Sequence, residues 1–219
     1  MDEQRILLAG ARLTARGSGA LWWPAERLLC VADLHLGKSE RLARRGGALL
    51  PPYETRATLD RLAAEIEALD PATLLCLGDS FDDSAARLEP DDDARLAALV
   101  SARDWVWIAG NHDPDSAARG GRQSAEMLVG PLRFRHAARP DVEPGEISGH
   151  YHPKLRLSLK GARLARPCFL LDATRLILPA FGTYTGGLDA DHPTLRALLR
   201  PPVRAILTGA PCLSLPLAG

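Results

Sequence analysis

Three short apolar runs, each followed at once by a cluster of polar residues, constrain the fold of this chain most strongly. The runs cover residues 27–32, 73–77 and 105–109. Their length, their content of Leu, Val, Ile and Trp, and the Gly and Asp residues that follow them are typical of buried β-strands. We therefore predict three strands in the first half of the chain.

Helical periodicity separates these strands. Apolar residues share one face at Leu59, Leu62 and Ile66, between the first two runs, and a second apolar stripe at Leu96 and Val100 lies between the second and third. The order strand–helix–strand–helix–strand predicts an α/β fold with a parallel sheet.

The second half of the chain loses the helical pattern from about residue 132 and is predicted to be rich in strands. Further strands are expected at residues 146–148 and 175–178, and a last helix at residues 194–199, before Pro201 and Pro202. A length of 219 residues without a long linker favours one domain over residues 1–219.

Composition describes an ordinary soluble protein. Lys+Arg and Asp+Glu balance at 27 each, so net charge gives no argument for a polyanionic partner, although a local basic surface could still bind one. The four cysteines form no C-x-x-C pair, and Cys30 and Cys76 fall inside apolar runs, which argues against a disulfide framework. The acidic N-terminus and the absence of a long apolar stretch predict a cytoplasmic protein without a membrane span.

The polar clusters behind the strands carry the residues that can do chemistry. They contain Asp33 and His35, then Asp79, Asp82 and Asp83, then Asn111, His112 and Asp113, and the strand-rich half adds His136, His150 and His152. Ligands bind outside the carboxyl ends of strands in an open α/β sheet, so these loops should meet in one crevice.

The donor types in these clusters indicate a transition-metal site. Five of the six histidines fall in or beside the clusters, and only His192 lies outside them. Carboxylate, imidazole and amide oxygen together suit Mn, Fe or Zn better than Mg or Ca. On an extended segment residues i and i+2 point the same way, so the D-x-H and H-x-H spacings are expected to aim both side chains at one cluster. Each motif alone occurs in ordinary loops, whereas the set in this order is hard to reconcile with chance.

In these motifs the sequence resembles the calcineurin-like metallophosphoesterase superfamily, whose signature is D-x-H, G-D-x-x-D, G-N-H-D/E, a lone His and G-H-x-H. The resemblance implies a four-layer αββα sandwich with two mixed β-sheets. It also implies two divalent metal ions, one held by Asp33, His35 and His152, the other by Asn111, His136 and His150, with Asp79 bridging them.

Further segments resemble one branch, the bacterial ligase-associated DNA damage response endonuclease (PdeM) family. They are residues 32–38, 78–83, 147–154, 166–169 and 178–188, and the last two lie beyond the superfamily signature. This resemblance implies a manganese-dependent phosphodiesterase that cuts DNA in repair, with Fe, Co, Ni or Zn as other possible metals. It further implies single-stranded or structured DNA as partner, and association with an ATP-dependent DNA ligase, a helicase and a metallo-β-lactamase-type nuclease.

The mechanism expected for such a site uses a metal-bridged hydroxide that attacks phosphorus. Asn111 would help to neutralise charge on the phosphate, and His112, oriented by Asp113, would assist the leaving group.

Two basic clusters flank the motifs and could follow a phosphate backbone. Lys38 and Arg41 belong to the first cluster and Lys154 and Arg156 to the second, while Tyr184 in a glycine-rich stretch could stack on a base. A solvated helix or strand face explains the basic residues equally well.

Two other functions remain open at the level of sequence. A metallophosphatase or phosphodiesterase acting on a small nucleotide or monoester would use the same ligands. A non-catalytic scaffold of the same fold in a repair complex would be expected to have lost ligands, which this chain keeps.

Overall fold

The computed structural model describes residues 2–47, 50–83, 86–111, 119–141, 144–159 and 162–217. Its first sheet has seven strands, which follow one another in chain order. They are β1 (Glu3–Leu8), β2 (Ala11–Arg16), β3 (Leu21–Trp23), β4 (Leu28–Val31), β5 (Thr73–Leu77), β6 (Asp104–Ile108) and β7 (Arg122–Ser124). Neighbours pair antiparallel from β1 to β4 and parallel from β4 to β7. The sheet is therefore mixed, and its parallel half carries the three strands that the sequence predicts.

The second sheet is built from the strand-rich half of the chain. Its strands are β8 (Glu126–Val129), β9 (Leu132–Arg135), β10 (Glu146–Ser148), β11 (Lys154–Leu159), β12 (Ala162–Leu171), β13 (Arg175–Ile177), β14 (Arg204–Leu207) and β15 (Ser214–Pro216). The order is β15-β14-β12-β13-β10-β9-β8, with β11 paired to β12 beside this path. The pairs β9–β10 and β10–β13 are parallel and the other described pairs of this sheet are antiparallel, so this sheet is mixed as well.

Helices cover the outer faces of the sheets. They are α1 (Lys38–Arg44), α2 (Glu54–Leu69), α3 (Pro90–Ser101) and α4 (Pro193–Leu198). The predicted α/β class with two mixed sheets is confirmed, and the predicted last helix is α4, shifted by one residue. The sequence analysis did not predict β1–β3, which extend the first sheet with an antiparallel meander, or α1, which follows the first polar cluster.

Alternation along the strands explains the layers. In β5, Leu75 and Leu77 join the core between the sheets, together with Phe134 of the second sheet. Leu74 and Cys76 point the other way and pack under the helices. Successive side chains of a strand point to opposite faces of the sheet, so a strand that is buried on both faces needs apolar residues at every position. In the sequence such a strand is an uninterrupted apolar run.

The burial of the tryptophan and cysteine side chains assigns them to the core. Trp105 and Trp107 are 1% and 0% exposed and belong to the helix-covered core, so they offer no stacking surface. All four cysteines are buried. Within the described ranges, no helix is long and apolar enough to cross a membrane.

Candidate metal centre

The polar clusters meet at one edge of the sandwich, where strands of both sheets end. Asp33 and Asp79 follow β4 and β5 of the first sheet, while His136 and His150 follow β9 and β10 of the second. Their side chains form two groups of potential metal ligands, each with its ligand atoms within 4.8 Å of one another. The described parts of these loops therefore meet at one edge.

The first group consists of Asp33, His35 and His152. Nε2 of His152 lies 3.3 Å from Nε2 of His35 and 3.3 Å from Oδ1 of Asp33. Asp33 is fully buried and His35 nearly so. Three convergent donors with a buried carboxylate among them are the arrangement that a divalent cation requires.

The second group consists of Asp79, His136 and His150. Nε2 of His136 lies 3.5 Å from Oδ2 of Asp79 and 3.0 Å from Nδ1 of His150. Nδ2 of Asn111 is 3.3 Å from the same Nδ1, so the amide of Asn111 borders this group. Burial lowers the pKa of His150, and the charge of His136 lowers it further. A neutral imidazole is the form that binds metal.

Asp33 connects the two groups. Its Oδ2 accepts a hydrogen bond of 2.8 Å from the backbone N–H of His150, and its Oδ1 lies 3.9 Å from Nδ1 of His136. Within the described residues, this buried Oδ1 makes no hydrogen bond. A buried carboxylate oxygen left without a donor is costly unless a cation satisfies it, so the donor set fits two adjacent metal ions.

The ligand loops adopt a backbone conformation that differs from the extended one we expected. Among the described residues, nine non-glycine residues have a positive φ, and five of them are in the two ligand groups. Their φ angles are 53° for Asp33, 46° for His35, 45° for Asp79, 72° for His150 and 47° for His152. Because β4 and β10 end before these residues, left-handed turns rather than a pleated strand set the side-chain directions. Both residues of each pair contribute to the ligand groups: Asp33 and His35 share one group, and His150 and His152 divide between the two.

Two glycines let the backbone approach the ligands closely. A Cβ at Gly78, where φ is 76°, would lie 2.3 Å from Nδ1 of His136. At Gly149 it would lie 2.6 Å from Oδ2 of Asp33. Any larger residue would displace a ligand. Steric exclusion of a side chain therefore explains the glycines of the G-D and G-H motifs.

Asp82 orients His35 from behind. Nδ1 of His35 lies 2.8 Å from Oδ1 of Asp82, while Arg41 donates to the other carboxylate oxygen and Nζ of Lys38 is 3.7 Å from the first. Burial alone would raise the pKa of Asp82, but the hydrogen bond with His35 and the nearby positive charges lower it below its ordinary value. Lys38 and Arg41 thus have a partner inside the protein, which the sequence did not indicate.

A segment of residues 178–188 holds the ligand loops in place. The N–H of Phe181 donates to the carbonyl of Ala32, and that of Gly182 to the carbonyl of Asp33. At its other end, Leu188 donates to the carbonyl of Tyr151, between the two histidines of the second loop. This contact explains why a segment far along the chain accompanies the metal motifs.

The remaining predicted site residues lie near this edge or outside the described part of the chain. Nζ of Lys154 donates to the carbonyl of Thr185, Arg156 pairs with Asp189 at 2.9 Å, and Tyr184 is 42% exposed. The predicted catalytic residues His112 and Asp113 fall outside the described residues.

Comparison with known proteins identifies the family. The sequence model described as calcineurin-like phosphoesterase matches residues 26–159, more than half of the chain. The chain belongs to the calcineurin-like phosphoesterase family. No curated protein sequence matches it.

Solved structures give a further comparison for this calcineurin-like phosphoesterase. One is the crystal structure of Pseudomonas putida nuclease MPE, whose sequence is 29% identical to this chain. The match covers 98% of this chain and 100% of that chain, with a TM-score of 0.73. The E. coli phosphoesterase Yfce is 14% identical, with 74% and 83% coverage and a TM-score of 0.40. Family and nuclease match together make the chain a metal-dependent phosphoesterase, and they set aside the alternative of a non-catalytic scaffold.

Proposed function

We propose that this phosphoesterase is a dinuclear, metal-dependent phosphodiesterase that cuts DNA as an endonuclease. The observation that carries the proposal is the pair of adjoining ligand groups, joined through Asp33, at an edge where both sheets end. The match to a nuclease along nearly the whole of both chains supports a nucleic acid substrate over a small one.

In this proposal Asp33, His35 and His152 would hold one metal, Asn111, His136 and His150 would hold the other, and Asp79 would contribute to both. Bound divalent cations would lower the pKa of a water and neutralise charge on the phosphate. Manganese suits this mixture of carboxylate, imidazole and amide oxygen, and Fe, Co, Ni and Zn are compatible with it.

The chain's own groups then position the substrate. The amide of Asn111, at the exposed side of the second group, would face a non-bridging phosphate oxygen. His112, oriented by Asp113, would give a proton to the leaving oxygen, whose high pKa makes its unaided departure slow. Asp82 keeps Nδ1 of His35 hydrogen-bonded, so that Nε2 faces the centre.

A cavity beside the ligands provides room for the substrate. It has a volume of about 390 Å³ and is lined by His150, His152, Tyr151 and Leu188, among others. Lys154, Arg156 and Tyr184 are the residues that we propose contact DNA there. For Lys38 and Arg41, the bonds to Asp82 favour orientation of His35 as the main role, with DNA contact secondary.

A substrate panel tests the proposal. Circular single-stranded DNA, a bis-aryl phosphodiester and an aryl monoester are assayed with Mn, Co, Ni, Zn and Mg in turn. We expect cutting of the circle and of the diester with Mn, and loss of both in Asp79→Asn. Asp83→Asn, which changes a carboxylate paired with Arg44 outside the ligand groups, is the matched control. Preference for the monoester with an intact DNA circle would instead establish the small-substrate phosphatase.

The biological setting is part of the same proposal. The family resemblance supports a cytoplasmic role in DNA repair, in functional association with an ATP-dependent DNA ligase, a helicase and a metallo-β-lactamase-type nuclease. We treat residues 1–219 as one domain, because the core between the sheets takes side chains from both halves of the chain. Sensitivity of a deletion strain to DNA damage, restored by the wild type and not by Asp79→Asn, tests the repair role.

A further inference from the structure

An arginine cleft lies on the second sheet, beside the strand that leads to His136. Arg133 and Arg135 of β9 and Arg139 of the following loop line a cavity of about 540 Å³. Phe134 between them packs in the core between the sheets, so the two β9 arginines lie on the outer face. We use the name arginine cleft for these three side chains and the cavity they line.

Positive charge exceeds negative charge around the arginine cleft. Glu126 accepts from Arg133 and, at 2.9 Å, from Arg135. Glu146 lies 3.3 Å from Arg135 and 3.2 Å from the fully buried Arg175. Within the described residues, four guanidinium groups thus share two carboxylates, and the only other acid lining the cleft, Asp141, is exposed at its rim.

Donors in the arginine cleft remain unused. Arg135 is 6% exposed, and its Nε makes no hydrogen bond. The side chain of Arg139 is 69% exposed, with Oε2 of Glu126 3.9 Å away. A buried guanidinium donor without an acceptor costs free energy, which an oxyanion in the cleft would recover.

We propose that the arginine cleft binds a backbone phosphate of the DNA strand whose scissile phosphate lies at the metal centre. Guanidinium groups bind phosphate through parallel N–H donors, and a run of them favours a polyanion. This inference rests on the proposed function, since it assigns a second contact for the same substrate.

The arginine cleft lies close to the metal centre along the chain. Arg135 is followed directly by His136, and Arg139 is three residues further, at most about 11 Å along the Cα path. The hydroxyl of Tyr151, from the loop between His150 and His152, donates to the carbonyl of Ala138 in that same stretch. These short separations support contact of one DNA strand with both places.

Two arginines of the cleft, the half-buried Arg133 and the exposed Arg139, provide the test. The double substitution Arg133→Gln and Arg139→Gln leaves the buried Arg135 in place. Arg204→Gln is the matched control, because Arg204 is exposed on β14, four strand spacings or about 19 Å across the same sheet. We expect KM for a single-stranded oligonucleotide to rise about tenfold in the double variant. Hydrolysis of the bis-aryl diester, which has no second phosphate, should stay within about twofold.

Salt dependence gives a second readout that a loss of folding would not imitate. Losing this one phosphate contact should reduce the slope of log Kd against log salt by about 0.7 for single-stranded DNA. This is measured by fluorescence anisotropy on metal-stripped protein, with thermal unfolding as the check on folding. If the double variant were unstable, Arg139→Gln alone would serve, with a smaller reduction of the slope.

The outcomes separate this inference from the proposed function. A wild type that cuts DNA, with an unchanged KM and salt slope in the double variant, overturns the arginine cleft alone. A wild type that binds the oligonucleotide but does not cut it, with weaker binding in the variant, supports the cleft and overturns the nuclease. A wild type that neither binds nor cuts overturns both.

Discussion

Gly78→Ala should disable the metal centre without removing any ligand. The added Cβ would lie 2.3 Å from Nδ1 of His136 and 2.8 Å from Cα of Gly110. Ordinary contacts begin near 3.4 Å, so the imidazole must retreat by about 1 Å. A displacement of that size can cost about 10²-fold in rate. The left-handed backbone adds about 1–2 kcal/mol, and overpacking about 1–3 kcal/mol, of lost stability.

Gly10→Ala isolates the backbone cost from the collision. Its φ of 83° resembles the 76° of Gly78, but a Cβ there would meet nothing within 4 Å. We expect Gly10→Ala to lose only the conformational part of the stability, about 1–2 kcal/mol, and to keep full activity. Thermal unfolding in chelator should resolve the difference, since about 1 kcal/mol shifts Tm by about 2–4 °C in a domain of this size.

Activity and metal content complete the comparison. Gly78→Ala should lose about 10²-fold in kcat/KM on the bis-aryl diester and should retain less than two metal equivalents after dialysis. If Gly78→Ala matched Gly10→Ala in stability, metal content and rate, the close packing of the G-D turn against His136 would not matter to the site, and our reasoning would be refuted.

Three further changes probe the centre. Adding Mn²⁺ to the stripped protein should raise Tm, since binding at 100 times Kd contributes about 2.7 kcal/mol, and an unchanged Tm would contradict the site; in Asp79→Ala most of the rise should vanish. Asp82→Asn should lower metal affinity or activity about 10–100-fold, because it weakens the hold on Nδ1 of His35. The control Asp83→Asn should lower neither, and equal effects of the two substitutions would argue against orientation of His35 by Asp82. His112→Ala should lower kcat on DNA about 10²–10⁴-fold with metal content unchanged, and loss of metal instead would reassign His112 as a ligand.

The strand ends were the predictable part of this molecule. An uninterrupted apolar run such as residues 73–77 is required of a strand buried on both faces, and the structure places β5 on those residues. Since parallel strands present their carboxyl ends at one edge of the sheet, the sequence alone predicts that Asp33 and Asp79 lie close together. The position of His136 and His150 could not be predicted in the same way, because these residues reach the same edge only through the packing of the second sheet on the first.

The details that sequence could not supply depend on contacts between distant segments. Arg41 looks like a basic surface residue until Asp82, on another loop, is found to bond it. The arginine cleft escaped notice for a similar reason, since the alternation in residues 132–135 describes a half-exposed strand, and Glu146 and Arg175 join it only across the sheet. Local pattern predicts which face a side chain takes, but not what it meets there.

The left-handed turns at the ligands restrict the routes by which this site can evolve. Each such position must supply a donor atom and also tolerate a φ near 50°, which Asn, Asp, His and Gly do far better than β-branched residues. A relative that had lost one metal would therefore be expected to carry asparagine or glycine there, and not valine or isoleucine, because the fold would still require the left-handed turn. The residue types at these positions would then indicate the former metal centre after the metal was lost.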